Sequence, residues 1–136
     1  MSKHTHIYTL PIRVYFQDTD AGGVVYHASY VNFMERARTE WLRTHGYSNA
    51  GLMKEFGMVF VVRSLKLDYL RPALLDDLLE VTAQIKDIGR SRISLLQSVH
   101  RNDEVLTEAE VHLVCVSLES FKPVSVPEVL RAQLQV

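Results

Sequence analysis

The spacing of the apolar residues changes once along this chain, and that change restricts the fold more than any other feature. From about Ser29 to Gly46, Tyr30, Phe33, Met34, Ala37 and Trp41 recur at three- and four-residue steps, which is the spacing of one helix face. Asn32, Glu35, Arg36, Thr39 and Arg43 share the opposite face, and Gly46 is a natural C-terminal stop. Ser29 or a neighbour is the expected N-cap. Arg38 breaks the pattern because it projects near the apolar arc between Met34 and Trp41. It is expected to snorkel or to pair with a carboxylate such as Glu35 or Asp18.

Beyond a loop with a short helical turn at 48–57, the spacing becomes two. Val59, Val61, Leu65, Leu67 and Tyr69 alternate with Ser64, Lys66 and Asp68, and Leu79, Val81, Ala83 and Ile85 alternate with Glu80, Thr82, Gln84 and Lys86. The runs 91–100 and 104–118 continue in the same way. Breaks fall at Arg71-Pro72, Ile88-Gly89-Arg90, Arg101-Asn102-Asp103 and Lys122-Pro123, a spacing that predicts antiparallel strands joined by short connections. Ahead of the helix, 7–16 is β-branched and aromatic with alternation at Ile12, Val14 and Phe16, although Pro11 marks an edge, a bend or a strand start. The tail after Pro127 either adds a helical turn or frays.

The order is one strand, one long helix, then about four long strands: an α+β chain in which a single helix covers one face of a five-stranded antiparallel sheet. The exposed edge of such a sheet has to be paired or protected. Pairing two copies edge to edge is the economical solution, so a homodimer or a dimer of dimers is expected. The 136 residues fit one domain, 1–136, with its core at about 7–123.

Composition narrows the function. A formal net charge of −1 gives no chain-wide basic field for nucleic acid or a membrane surface. The one cysteine, Cys115, cannot form an internal disulfide, and no Cys/His spacing suits a metal. The first residues lack the apolar stretch of a signal peptide, and no run approaches the roughly 18 apolar residues of a membrane span. A cytoplasmic, non-spanning protein is expected.

The chemistry-bearing stretch is Asp18-Thr-Asp20-Ala-Gly22-Gly23-Val-Val-Tyr26-His27-Ala28-Ser-Tyr30, where the first strand ends and the helix opens. A turn here can bring a carboxylate, an imidazole and the free N–H groups of a helix start into one small volume. Those N–H groups favour negative charge, so an oxyanion could be stabilised beside an acid that attacks, or deprotonates water. Two acids beside glycines are also ordinary turn formers. A calcium loop counted from Asp18 would place Gly22 and Ser29 where an oxygen ligand and a glutamate belong, so that reading fails.

The Asp18-to-Tyr30 stretch, with Glu35-Arg36-Ala37-Arg38-Thr39-Glu40, Phe60-Val-Val-Arg63, Leu75-Asp-Asp77 and Val114-Cys-Val116, resembles hotdog-fold acyl-CoA thioesterases. Within them it is most similar to the 4-hydroxybenzoyl-CoA thioesterase-like family and the branch associated with the bacterial Tol-Pal envelope system. The resemblance implies a sheet wrapped around a central helix, a homodimer or homotetramer with active sites between subunits, and a catalytic role for Asp20. Relatives often have proline where Ala21 stands and tyrosine where His27 stands. The alanine agrees with the Tol-Pal branch and counts against an aromatic acyl group.

On this reading Asp20 acts as nucleophile or general base and His27 orients substrate or water. Gly22, Gly23, Tyr26 and Ala28 supply the backbone that receives the carbonyl oxygen. The phosphates of coenzyme A call for cations, with Arg63, Arg90, Arg92 and Lys122 as candidates and Ser91 as a hydroxyl donor. The Gly89–Arg92 turn is favoured because a hairpin tip can reach a neighbour's site. No cofactor or metal is called for, since coenzyme A is part of the substrate. Acyl carrier protein is an alternative carrier, and the rival function is an acyl-CoA or acyl-carrier-protein binding or scaffold protein with little turnover.

Overall fold

The computed structural model describes residues 6–135. Strand β1 (Tyr8–Arg13) leads through a 3-10 turn (Phe16–Asp18) to helix α1 (His27–Thr44), and helix α2 (Asn49–Phe56) follows. Strands β2 (Met58–Tyr69), β3 (Leu78–Ile88), β4 (Arg92–Arg101) and β5 (Glu104–Ser117) come next, and helix α3 (Glu128–Leu134) closes the chain. The strands form one antiparallel sheet in the order β1-β3-β4-β5-β2. The expected α+β arrangement, a five-stranded antiparallel sheet with one long helix, is present.

The alternation seen in the sequence is the burial pattern of the strands. Val81, Ala83 and Ile85 of β3 line up with Val99, Gln97 and Leu95 of β4, and those with Thr107, Ala109 and Val111 of β5. All are buried, and they form the face on which α1 lies, with Phe33, Met34 and Ala37 fully enclosed. Each such large apolar side chain contributes about 2 kcal/mol when removed from water. The core continues into α3 through Leu130 and Leu134.

The ends of α1 differ in kind. At its C-terminus Gly46 adopts φ +88°, and its N–H donates to the Arg43 carbonyl at 2.9 Å. At its N-terminus the helix begins at His27, two residues ahead of Ser29, and the N-cap is Tyr26, which offers no side-chain bond. Helix α2 is longer than the expected helical turn because it is closed at both ends. The Ser48 hydroxyl accepts from Gly51 N–H at 3.0 Å, and Gly57 takes the left-handed conformation.

Of the two expectations for Arg38, an ion pair with Glu35 or Asp18 is not formed. Its Nη1 donates to Gln97 Oε1 at 3.0 Å, while Glu35 accepts from the Thr39 hydroxyl at 2.8 Å and Asp18 faces another partner. Gln97, a polar residue only 3% exposed, is satisfied by donating to the carbonyls of Met34 at 3.0 Å and Thr82 at 3.2 Å.

Cys115 is fully buried on β5, and burial raises its thiol pKa to about 11. The native protein is therefore expected to resist thiol-specific disulfide reagents at pH 8 and to be labelled once only after unfolding. Rapid labelling of the folded chain would contradict the packing described here.

Candidate active site

The segment between β1 and α1 is built by two aspartates with separate tasks. Asp18 is buried, at 8% exposure, and its Oδ2 accepts the Tyr15 N–H at 2.8 Å. Its backbone carbonyl accepts from Tyr26 N–H at 2.8 Å and from the Ser29 hydroxyl at 3.3 Å. Asp18 thus ties the end of β1 to the first turn of the helix. Asp20 is exposed. Its Oδ1 accepts the Gly22 N–H at 2.8 Å, and Oδ2 makes no hydrogen bond among the described residues.

Between the two acids and the helix runs a tight hairpin. Asp20 N–H donates to the Val24 carbonyl at 3.0 Å, Gly23 N–H returns to the Asp20 carbonyl at 3.1 Å, and Thr19 bridges Val25. Gly23 sits at φ +78°, which side chains other than glycine adopt at a cost. A Cβ added at Gly22 would lie 3.3 Å from Asp20 Oδ1, so the small residue leaves that carboxylate its place.

The hairpin is strapped to the β2–β3 connection. Val25 N–H donates to the Ala73 carbonyl at 2.9 Å, Leu75 N–H to the Gly23 carbonyl at 3.1 Å, and Val24 bridges Leu74. That connection is itself held: Ala73 N–H donates to the Tyr30 hydroxyl at 2.9 Å, and Arg101 pairs with Asp77 at 2.6 Å. Hydrogen bonds to Asp77 and Glu104 raise the Arg101 pKa further, so this clamp stays charged.

The helix start is open. An α-helix leaves its first amides without intrahelical partners. Ser29 N–H turns back to the Tyr26 carbonyl at 2.9 Å, whereas no side-chain cap covers those of His27 and Ala28. The His27 ring lies against Tyr69, centroids 4.7 Å apart, and the Tyr69 hydroxyl donates to the His27 carbonyl at 3.2 Å. Tyr30 meets the same Tyr69 ring edge-on at 5.4 Å. Tyr69 lies beside the candidate site residue His27, a position that the strand alternation concealed. Its only signal was its place as the last residue of that run.

The structure therefore gathers Asp20, Gly22, Gly23, Tyr26, His27 and Ala28 at one end of the sheet. It does not bring the candidate cations there within one chain. Ser91 and the Arg90 backbone lie at the β3–β4 tip, where the Arg90 side chain donates to the Ser125 hydroxyl at 2.7 Å. Arg92 opens β4, Lys122 follows β5, and the exposed Arg63 stands at the bulge midway along β2. The 11 residues of β3 separate that tip from the hairpin end, about 35 Å at the usual strand rise.

In the single chain, then, a carboxylate with one oxygen unbonded among the described residues stands on the hairpin that leads into a helix start without a side-chain cap, and such groups together suit attack on a carbonyl whose oxygen gains charge. Comparison with known proteins gives concordant results. The family model described as thioesterase-like superfamily matches residues 14–134. The acyl-CoA thioesterase YbgC of Haemophilus influenzae is 45% identical over 125 residues, spanning 92% of this chain and 92% of the relative. The acyl-CoA thioester hydrolase YbgC of Escherichia coli O6:H1 is 46% identical over 133 residues, 97% of this chain and 98% of the relative. The crystal structure of a probable thioesterase from Bartonella henselae matches with a TM-score of 0.85 at 35% identity, over 90% of this chain and all of that one.

The division of labour between the acids is testable by stability alone. Asp18→Ala removes a buried acceptor and is expected to cost about 1–2 kcal/mol in urea unfolding. Asp20→Ala, at an exposed turn, is expected to cost less than about 0.5 kcal/mol. The opposite order would mean that Asp18 is not the residue that fixes the turn.

Proposed function

We propose, from the premise that this chain belongs to the thioesterase-like superfamily and is a thioester hydrolase, that it cleaves acyl-CoA thioesters with Asp20 as the reacting acid. The observation that carries this is the pairing of Asp20, whose Oδ2 is free, with a helix start left without a side-chain cap. The Gly22 N–H holds Oδ1, and the second oxygen is left for the reaction. The carbonyl oxygen of the thioester gains charge as the carbon is attacked. Amides of His27 and Ala28, backed by the positive end of α1, receive it; a donor of this kind is worth on the order of 3 kcal/mol elsewhere.

Two routes satisfy the chemistry. Asp20 Oδ2 attacks the carbonyl carbon, expels the CoA thiolate and leaves an acyl-aspartyl anhydride that water opens. Alternatively, Asp20 takes a proton from water as its oxygen attacks, and the carbon–sulfur bond breaks from the tetrahedral adduct. Either leaving group is a thiolate whose conjugate thiol has a pKa of about 8.5, so no strong general acid is required. His27, its ring tilted against that of Tyr69, orients the substrate carbonyl or the water.

A second copy completes the site. Strand β2 is a free edge with Val61 and Val62 exposed at 36% and 48%. Two copies joined antiparallel along β2 place the Tyr69 end of one beside the Met58 end of the other. Met58 is paired with Ser117, and Arg92 with Val114 in the row of Val61, so that end carries Arg90, Arg92 and Lys122. The cations that lie far from Asp20 in one chain thus reach the site of its neighbour, where CoA phosphates need them.

Asp20→Asn is expected to lower thiol release from acyl-CoA by about a hundredfold or more, with little change in stability. Single turnover in oxygen-18 water labels the aspartate if an anhydride forms and water opens it at the aspartyl carbonyl, and labels only the product acid if water attacks the acyl carbon. Unchanged turnover in Asp20→Asn would remove the acid from the mechanism. Val61→Lys with Val62→Lys is expected to give a monomer in sedimentation, since charge on a free strand blocks edge pairing. Activity should fall with the dimer, and a monomeric variant with full activity would refute the shared site.

A further inference from the structure

A second polar feature lies away from the helix start. Between α1 and the sheet is a cavity of about 170 Å³, apolar for the most part, with Trp41, Phe60, Ile93 and Leu113 among its walls. That volume is enough for a ring or a short chain segment, since a dry cavity of about 150 Å³ holds benzene. Arg38 opens into it. The guanidinium carries five donors, yet among the described residues it makes a single hydrogen bond, to the neutral amide of Gln97, and no ion pair. Glu35 shares the cavity but is engaged by the Thr39 hydroxyl. Burial lowers the Arg38 pKa, and the charge of Glu35 nearby offsets this only in part.

Arg38 is half-buried, and a cation withdrawn in part from water gains from an anionic partner. Gln97 does not neutralise Arg38. Its own donors are fixed on the Met34 and Thr82 carbonyls, so it can only present Oε1 and hold the guanidinium in place. The fork is thereby oriented for a bidentate acceptor, and among the described residues no carboxylate forms an ion pair with it.

We infer that Arg38, positioned by Gln97, is a specificity residue that receives a carboxylate at the far end of the acyl group, so that the preferred substrates are dicarboxylic acids joined to CoA through one end. This rests on the thioesterase reading above. The Gln97 amide meets the helix at Met34, about 10 Å beyond the first residue of α1 at the usual rise. Short dicarboxylic acyl groups do not span that distance, and medium-length ones do.

The test compares suberyl-CoA with octanoyl-CoA, and succinyl-CoA with butyryl-CoA, by kcat/KM and by titration calorimetry on the Asp20→Asn protein. The wild type is expected to favour suberyl over octanoyl by tenfold or more, a ratio on the order of one charge-assisted hydrogen-bond pair, and to show no such preference between the short pair. Arg38→Met is expected to abolish the preference while it still cleaves octanoyl-CoA. Arg38→Lys, which keeps the charge and loses the fork, is expected to retain part of it and serves if the methionine variant does not fold. Equal handling of suberyl and octanoyl groups by the wild type overturns the proposal, as it would if a side chain from a second copy filled the cavity. So does an unchanged preference in a folded Arg38→Met. Loss of turnover on every substrate in Asp20→Asn with the binding preference intact upholds both readings. Undiminished turnover in Asp20→Asn with that preference intact sinks only the role of the acid.

Discussion

The Asp18 carbonyl is the acceptor on which the arrangement of the site depends. Tyr26 N–H and the Ser29 hydroxyl converge on it, so the last residue before the helix and the first turn are fixed to the end of the 3-10 turn. Everything between must then close as a short hairpin, and its tip carries Asp20 out to the surface. The Asp18 carboxylate adds to this by holding Tyr15 N–H. Two acids separated by one residue therefore do opposite things: one is buried to shape the turn, and the other is left exposed by the turn so shaped.

The same constraint explains the importance of the β2–β3 connection. A hairpin whose tip is exposed has little apolar surface to anchor it. Here its backbone is paired instead with Ala73, Leu74 and Leu75, and that segment is clamped by Arg101, Asp77 and the Tyr30 hydroxyl. The clamp joins the end of β4 to the start of β3, so sheet register reaches the site directly. A shift of register would move the strap and, with it, the carboxylate.

Much of this was legible in the sequence, because strand and helix faces imprint their periods on local residue order. The helix, the four later strands and their breaks were all readable for that reason, as was the clustering of Asp20, Gly22, Gly23, His27 and Ala28, which are close in the chain. What escaped was non-local. Arg38 meets Gln97 across 59 residues and Tyr69 meets His27 across 42, and no local pattern encodes either contact. The helix start was placed two residues late for a different reason. The sequence signal of a helix start is a serine, threonine or aspartate cap, and the chain has Tyr26 there. The position of the cations was illegible too, since only the strand register shows that the β3–β4 tip lies at the far end from Asp20.

That missing cap is itself informative. A capped helix start is favoured by about 1 kcal/mol, and a serine stood three residues away that could have provided one. Instead Ser29 is drawn inward to the Asp18 carbonyl, and the amides ahead of it stay uncovered. The lost stabilisation is offset by contacts that hold the same turn without occupying those amides: Tyr26 N–H on Asp18, and Tyr69 on the His27 ring and carbonyl. Local rules are broken in this way where a group must remain available to a ligand. Arg38 repeats the pattern in the cavity under α1, where a half-buried cation is held in place by a neutral amide and makes no ion pair among the described residues. At both positions the fold secures the surroundings of a polar group and withholds its partner, which is the physical form a binding site takes before anything is bound.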